Sequence, residues 1–257
     1  EEAAVKYPVP EREVRCLARV QRVRGVPELL DAGEAELGPF LAMPVLSGCL
    51  SQVLQGLDHD GLGGRLPWEA AGSLGRMLVQ TLQGVHARGV VHCDVKPENV
   101  MLCRGAAFAP HIVDFGRAQQ RGPDVHDEAE GVVGALEFNS IRAGQGAAVL
   151  LPSDDLESVG WLMLRCVVGH LPWRRRIAEF KRANVPREAF GFHISREKEK
   201  YLQAGCTHED LRHGYCPTAL RGYLLRVHGL RGARPDYAGL LAALPGAPAG
   251  AAWERLV

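Results

Sequence analysis

At 257 residues, 46% of them apolar, the chain is long enough to bury one large core or two smaller ones. Thirty Lys and Arg balance thirty Asp and Glu, so no overall field draws it to nucleic acid or a membrane surface. No run approaches the roughly 18 apolar residues of a membrane span, and seven scattered cysteines without a C-x-x-C pair argue against a disulfide framework or a zinc site. A reducing, intracellular setting, cytoplasm or nucleus, is the expectation. The sequence opens on Glu1 rather than Met and enters "AAVKY" at once, so a fragment of a longer chain is expected.

In chain order, "AAVKY" reads as a strand that ends near Tyr7, because Pro8 and Pro10 cannot continue a central strand. A helix is expected over about 11–24, followed by strand-like "LLDAG" and "GPFLAMPVL". Residues 1–46 therefore form a small α+β piece. "GLGGRLPW" at 61–68 reads as a loop rather than a phosphate cradle, since no strand precedes it. From Trp68 to Arg88, Leu74, Leu78, Leu82 and Val85 recur at helical spacing, and Gly89 ends the run. A second helix is expected over about 154–168, with Leu156, Val159, Leu162, Met163 and Cys166 inward and Gly169 and Pro172 as its stop. Further helices are expected at 217–228 and 237–244. Residues 47–257 are thus mainly helical.

The chemistry lies between the two long helices. In "VVHCDVKPENVML" (90–102) Asp94 and Asn99 stand five residues apart behind a short apolar strand, and "HIVDFGRA" places Asp114 behind a second one. One acid to take a proton, with an amide and a second acid to hold a divalent metal, is the set that phosphoryl transfer requires. Asp94 then orients an attacking hydroxyl and accepts its proton, Lys96 neutralises charge on the migrating phosphoryl group, and Asn99 and Asp114 hold Mg2+ across the phosphates.

H-x-D-x-x-x-x-N followed by D-F-G resembles the eukaryotic protein kinases, and Lys two residues after the aspartate resembles the serine/threonine class. The resemblance implies a bilobal α+β fold: a small lobe over 1–46, lacking the Gly-rich strands, and a helical lobe over 47–257. It implies ATP and Mg2+ as cofactors, protein substrates and a monomer. It makes Lys6 the lysine on the α- and β-phosphates and Glu13 its helix partner, Glu11 being the alternative. It puts Met43 at the gatekeeper position, with the Pro44 carbonyl and the Leu46 N–H facing adenine. "SDDLESVGWLMLRCVVGHLPW" (153–173) and "GALEFNSIRAG" (134–144) resemble the casein kinase I superfamily, the latter most closely its vaccinia-related branch. Asp155 is then the buried acid that braces the catalytic loop.

Three departures qualify what is inherited. No G-x-G-x-x-G precedes Lys6; a chain that truly began there would bind ATP weakly. Cys93 stands where relatives carry the Arg that meets an activation-loop phosphate, and "QQRGPDVHDEAEGVV" (119–133) has no Ser, Thr or Tyr. Activity independent of loop phosphorylation follows, with Cys93 a buried, inert thiol. Glu137 and Ala135 replace an Arg and a Thr of casein kinase I enzymes, so their preference for acidic substrates is not carried over. "RRR" at 174–176 reads as a solvated face. The leading expectation is a serine/threonine protein kinase; the alternative is a pseudokinase, a binding or scaffolding module.

Overall fold

The computed structural model describes residues 2–36, 38–103, 109–122, 125–128, 131–207, 215–230 and 232–246. Part of the acidic loop singled out above, residues 123–124 and 129–130, lies outside the described residues. Strand β1 (Ala3–Lys6) pairs antiparallel with β3 (Gly38–Pro44), which pairs on its other edge with β2 (Asp31–Ala35). Helix α1 (Glu11–Arg19) lies between β1 and β2 in the chain and buries Cys16 and Leu17 against Leu41 of the sheet. The same cluster takes in Val85, Val90 and Phe115, so this sheet and helix pack directly onto the segments around residues 90 and 115.

Helix α1 is shorter than the expected 11–24. It stops at Val20 because Arg22 (φ 65°) and Gly25 (φ 84°) turn left-handed, and a Cβ at Gly25 would meet Thr81 Oγ1 at 2.2 Å. The Gln21 amide holds this turn, donating to the Leu17 and Pro27 carbonyls and accepting from Leu29 N.

The larger part is helical. Helix α2 (Leu50–Leu57) follows the short strand β4 (Gly48–Cys49), and a turn through Gly64, bonded by Arg165, leads to α3 (Trp68–His86). The loop read at 61–68 is therefore tied to the back of the helical lobe. Helix α3 packs along α5 (Pro152–Val168), capped at Gly169 as expected, and α5 packs on α8 (Thr218–His228). Helix α9 (Tyr237–Ala242) lies against α3. Short α4 (Ile141–Gly144) packs on α7 (Arg187–Gln203), which follows α6 (Arg174–Arg182). The Arg174–Arg176 run opens α6 and is exposed, as read.

Between α3 and α5 the chain makes two small sheets. Strands β6 (Val100–Cys103) and β7 (Ala109–Ile112) pair with β4 in the order β4–β6–β7. Strands β5 (Val90–Val91), β8 (Gln119–Gly122) and β9 (Val125–His126) pair in the order β5–β8–β9. The polar loops of interest leave from these strands, between the lobes. Among the described residues no helix is long and apolar enough to cross a membrane, and Cys16, Cys49, Cys93, Cys166, Cys206 and Cys216 are free thiols.

Candidate active site

The loop after β5 is shaped by one left-handed residue. Cys93 has φ 67°, a conformation that costs a non-glycine residue free energy and needs an external hold. That hold is Asp155, fully buried on α5: its Oδ1 accepts from Cys93 N (2.8 Å) and its Oδ2 from His92 N (2.7 Å) and His86 Nε2 (2.8 Å). A carboxylate only accepts, so Nε2 carries the His86 proton, and His86 Nδ1 faces the Tyr237 hydroxyl at 2.6 Å. Burial raises the Asp155 carboxyl, but the His86 hydrogen bond and the surrounding positive and amide groups outweigh it, leaving the group below the usual carboxylate range.

With the backbone fixed this way, the Asp94 side chain is held on both oxygens. Oδ2 accepts from Lys96 Nζ (2.6 Å) and Oδ1 from Ala135 N (2.9 Å), while Asn99 Nδ2 donates to the Asp94 carbonyl (2.9 Å). Gly134 makes this approach possible. It has φ 76°, and a Cβ there would stand 2.7 Å from the Cys93 carbonyl. Burial pushes the Cys93 thiol well above its ordinary range, with the Asp155 charge adding to the effect.

His92 joins the two motifs. Its Nε2 donates to the Val113 carbonyl (3.0 Å), its Nδ1 accepts from Asp94 N (3.3 Å), and its ring meets Phe115 edge-on at 4.8 Å. Asp114 is the second left-handed residue (φ 67°), and its Oδ1 accepts from Gly116 N (3.4 Å) and Lys6 Nζ (3.0 Å).

Lys6 also donates to both oxygens of Glu13, at 2.8 and 3.0 Å, so the structure brings these two expected partners together. The Glu13 side chain is 2% exposed and that of Lys6 45%, so the desolvation falls on the glutamate. Burial accordingly raises the Glu13 carboxyl by more than Lys6 lowers it. Burial alone would lower the Lys6 ammonium, but bonds to Glu13 and Asp114 more than reverse that. Burial also raises Asp114, and the bond and charge of Lys6 outweigh it, so its carboxyl lies below the usual range.

These groups face one cavity of about 360 Å³ that brings together Lys6, Glu13, Met43, Pro44, Leu46, Asn99 and Asp114. Met43, Val45, Met101 and Val113 make one side apolar, suited to a planar base, and Lys6 lies toward the carboxylates, suited to phosphate. A second groove of about 550 Å³ is lined by Lys96, Glu137, Phe138 and Phe180, and Asp94, bonded to Lys96 and to Asn99, links residues of the two linings. Among the described residues no group of three or more His, Cys, Asp or Glu side chains could hold a metal ion by themselves. Asn99 and Asp114 offer two oxygen ligands; a hard cation that keeps waters and phosphate oxygens in its shell, as Mg2+ does, suits so small a set.

Sequence reasoning missed two contributors. Ala135 acts through its backbone N–H, for which no side-chain signal exists. Lys198 is fully buried on α7 and donates to the Leu136 and Asn139 carbonyls (3.0 and 2.6 Å) and to Asn139 Oδ1 (3.0 Å), fixing the segment that carries Ala135. In "REKEKYLQ" it reads as one more surface charge.

Comparison with known proteins agrees with this geometry. A probable casein kinase I homologue of Encephalitozoon cuniculi is 31% identical over 166 residues, 63% of this chain and 50% of that protein. The B1 kinase of Vaccinia virus is 28% identical over 190 residues, 68% of this chain and 58% of that protein. The serine/threonine-protein kinase SBK2 of Homo sapiens is 31% identical over 141 residues, 54% of this chain and 39% of that protein. The chain thus spans about half the length of the first two, a casein kinase I homologue and a vaccinia kinase, in keeping with the superfamily that the sequence resembles. Residues 7–207, more than three-quarters of the sequence, match the protein kinase domain, which leaves Lys6 one residue outside the match and placed by its bonds alone. The chain belongs to the protein kinase domain family.

Proposed function

We propose that the chain is the catalytic domain of a serine/threonine protein kinase, transferring the γ-phosphoryl group of ATP to a protein hydroxyl. The observation that carries this reading is Asp94: a buried carboxylate that accepts from Lys96 and Ala135, which line the groove, and from Asn99, which lines the nucleotide-sized cavity. In that position Asp94 orients the substrate hydroxyl and accepts its proton. Lys96, 2.6 Å from Asp94, neutralises charge that develops on the phosphoryl oxygens. Lys6, oriented by Glu13, holds the α- and β-phosphates. Met43 borders the base, and the Pro44 carbonyl and Leu46 N–H meet its edge. Asn99 and Asp114 would hold a divalent metal, Mg2+ by the chemistry of the donors, which when bound would supply positive charge to offset that of the phosphates.

The protein substrate lies in the groove beside Lys96. Glu137 lines that groove, and a carboxyl group does not reproduce a cationic anchor for acidic peptides.

The test is transfer from labelled ATP with Mg2+ to casein and to a basic protein, with Asp94→Asn alongside. Transfer that falls by at least about 10³-fold in the variant supports the reading. Equal transfer by both removes Asp94 from its role, and nucleotide binding without any transfer establishes the alternative, a fold kept for binding.

A further inference from the structure

Helix α1 carries more than Glu13. Two residues on, Arg15 reaches out of the helix toward β8 and β9, where its Nη2 donates to both oxygens of Asp127, at 2.9 and 3.1 Å. Arg15 Nε donates to Gln120 Oε1 (3.1 Å), and Gln120 N donates to Asp127 Oδ2 (2.9 Å). Asp127 N in turn bonds the Gln120 carbonyl (3.2 Å). The result is a closed arrangement of helix, strand and loop in which the Asp127 side chain is 14% exposed and that of Arg15 45%.

An exposed ion pair would contribute little. This one differs in that its carboxylate is mostly shielded and is also held by a backbone amide of β8, the strand that follows the Asp114 loop. Burial raises the Asp127 carboxyl, but the Gln120 amide and the Arg15 guanidinium outweigh it, so the group stays ionised below the usual carboxylate range.

Two sequence features fit the same arrangement. The stretch 119–133 contains no Ser, Thr or Tyr, and the residue before Asp94 is Cys93, a buried thiol rather than a cation. Neither an acceptor for phosphate nor the usual partner for one is present in these positions. What the stretch does contain is a carboxylate already seated on α1.

We propose that Arg15 and Asp127 are positioning residues: the Asp127 carboxylate does for α1 what a loop phosphate would do, fixing the helix so that Glu13 stays on Lys6. The inference rests on the phosphotransfer reading above, and it extends that reading by naming what holds the small lobe in its working arrangement. The pair touches neither nucleotide nor substrate and acts through Glu13, which the same helix carries one half-turn away.

The experiment compares wild type with Asp127→Asn, Arg15→Gln and the charge-swapped Arg15→Asp/Asp127→Arg, with Arg176→Gln as a surface control whose partner is Glu179. Three quantities are read: hydrogen exchange of the amides of 11–19, ATP affinity by titration, and the separate KM values for ATP and for protein substrate. Each single variant is expected to speed exchange in 11–19 and to weaken ATP affinity about three- to tenfold. The swap should recover part of both, and the KM for protein substrate should stay put. The proposal is overturned if exchange and ATP affinity in both singles equal those of the control. It is equally overturned if exchange rises throughout the chain and both KM values move together, which would mark a merely structural pair. Exchange and nucleotide titration need no turnover, so a wild type that transfers no phosphate would refute the phosphotransfer reading while leaving the pair's role to these two measurements.

Discussion

Replacing Asp155 by Asn tests whether one buried carboxylate holds the loop that carries Asp94. The side chain keeps its size, but one acceptor oxygen becomes an NH2 donor. If that donor takes the Oδ1 place it opposes Cys93 N–H across 2.8 Å; if it takes the Oδ2 place it opposes both His92 N–H and His86 Nε2–H. The first orientation is the cheaper. It loses one charge-assisted bond and strands a buried N–H, about 1–3 kcal/mol, and it reduces the two remaining bonds from charge-assisted to neutral, about 1 kcal/mol more. A loss of about 2–4 kcal/mol lowers the unfolding midpoint of a chain this long by roughly 5–15 °C.

Urea unfolding followed by the fluorescence of buried Trp161 and Trp173 reads this directly, and phosphate transfer reads the displacement of Asp94 that should accompany it. Stability within about 0.5 kcal/mol of wild type at pH 7, with unchanged kcat, would refute the argument. A pH series supplies the sign. The folded value of Asp155 lies below its ordinary 3.8, so its contribution is complete above 3.8 and is lost as pH falls through the lower folded value. The gap between wild type and Asp155→Asn should therefore narrow below pH 3.8 and nowhere above it.

Three further outcomes are expected. Burial pushes the Glu157 carboxyl up to about 7, so the folded chain keeps a proton that the unfolded chain releases, and this group makes stability fall as pH rises from 4.5 to about 7. Glu157→Gln retains one oxygen for Ile141 N and Trp161 Nε1 and should flatten or reverse that slope in urea titrations; an unchanged slope would contradict the assignment. Native alkylation followed by mass spectrometry should label half-exposed Cys49 and Cys216 while Cys93 stays free; labelling of Cys93 first would show a reactive thiol. A Cβ at Gly191 would stand 2.5 Å from the Gly144 carbonyl and about 3 Å from Val132, so Gly191→Ala should cost about 1–3 kcal/mol. Gly222→Ala, with open space around it on α8, should instead stabilise by about 0.5–1 kcal/mol, and equal effects at the two sites would refute the packing argument.

The parts that were legible from sequence are those where side-chain type and period carry the information. Leu74, Leu78, Leu82 and Val85 announced α3, and Asp94, Asn99 and Asp114, singled out as a set that phosphoryl transfer would need, are brought together: Asn99 and Asp114 line one cavity and Asn99 bonds Asp94. Helix α7 was not legible: its inward face runs Phe190, Ile194, Ser195, Lys198, Tyr201 and Leu202, and the buried Ser and Lys interrupt the apolar stripe. Helix α1 was read too long because the left-handed turn at Arg22 has no residue-type signature. Its end is set by tertiary contact with Thr81, more than fifty residues away. The Ala135 N–H was invisible for the same kind of reason, since any residue other than proline would supply it.

The buried charges divide into two kinds of work. The segments around 92–96 and 134–140 have short or no ladders of their own, and buried N–H and C=O groups left without partners would cost about 1–3 kcal/mol each. Asp155, Glu157 and Lys198 supply those partners: the Asp155 carboxylate accepts from the His92 and Cys93 amides, a Glu157 carboxyl oxygen accepts from the Ile141 amide, and Lys198 Nζ donates to the Leu136 and Asn139 carbonyls. A buried charge is itself costly unless fully bonded, so each of these loops and its charge are stable only together. Removing one should lower stability and activity in the same step. The Arg15–Asp127 pair, its guanidinium 45% exposed though its carboxylate is mostly shielded, adds less to stability than these fully buried groups, and it joins the helix that carries Glu13 to the loop beyond Asp114. Changes there should alter activity with little change in unfolding. The separation of these two responses distinguishes a charge that keeps the fold from one that sets the geometry of the site.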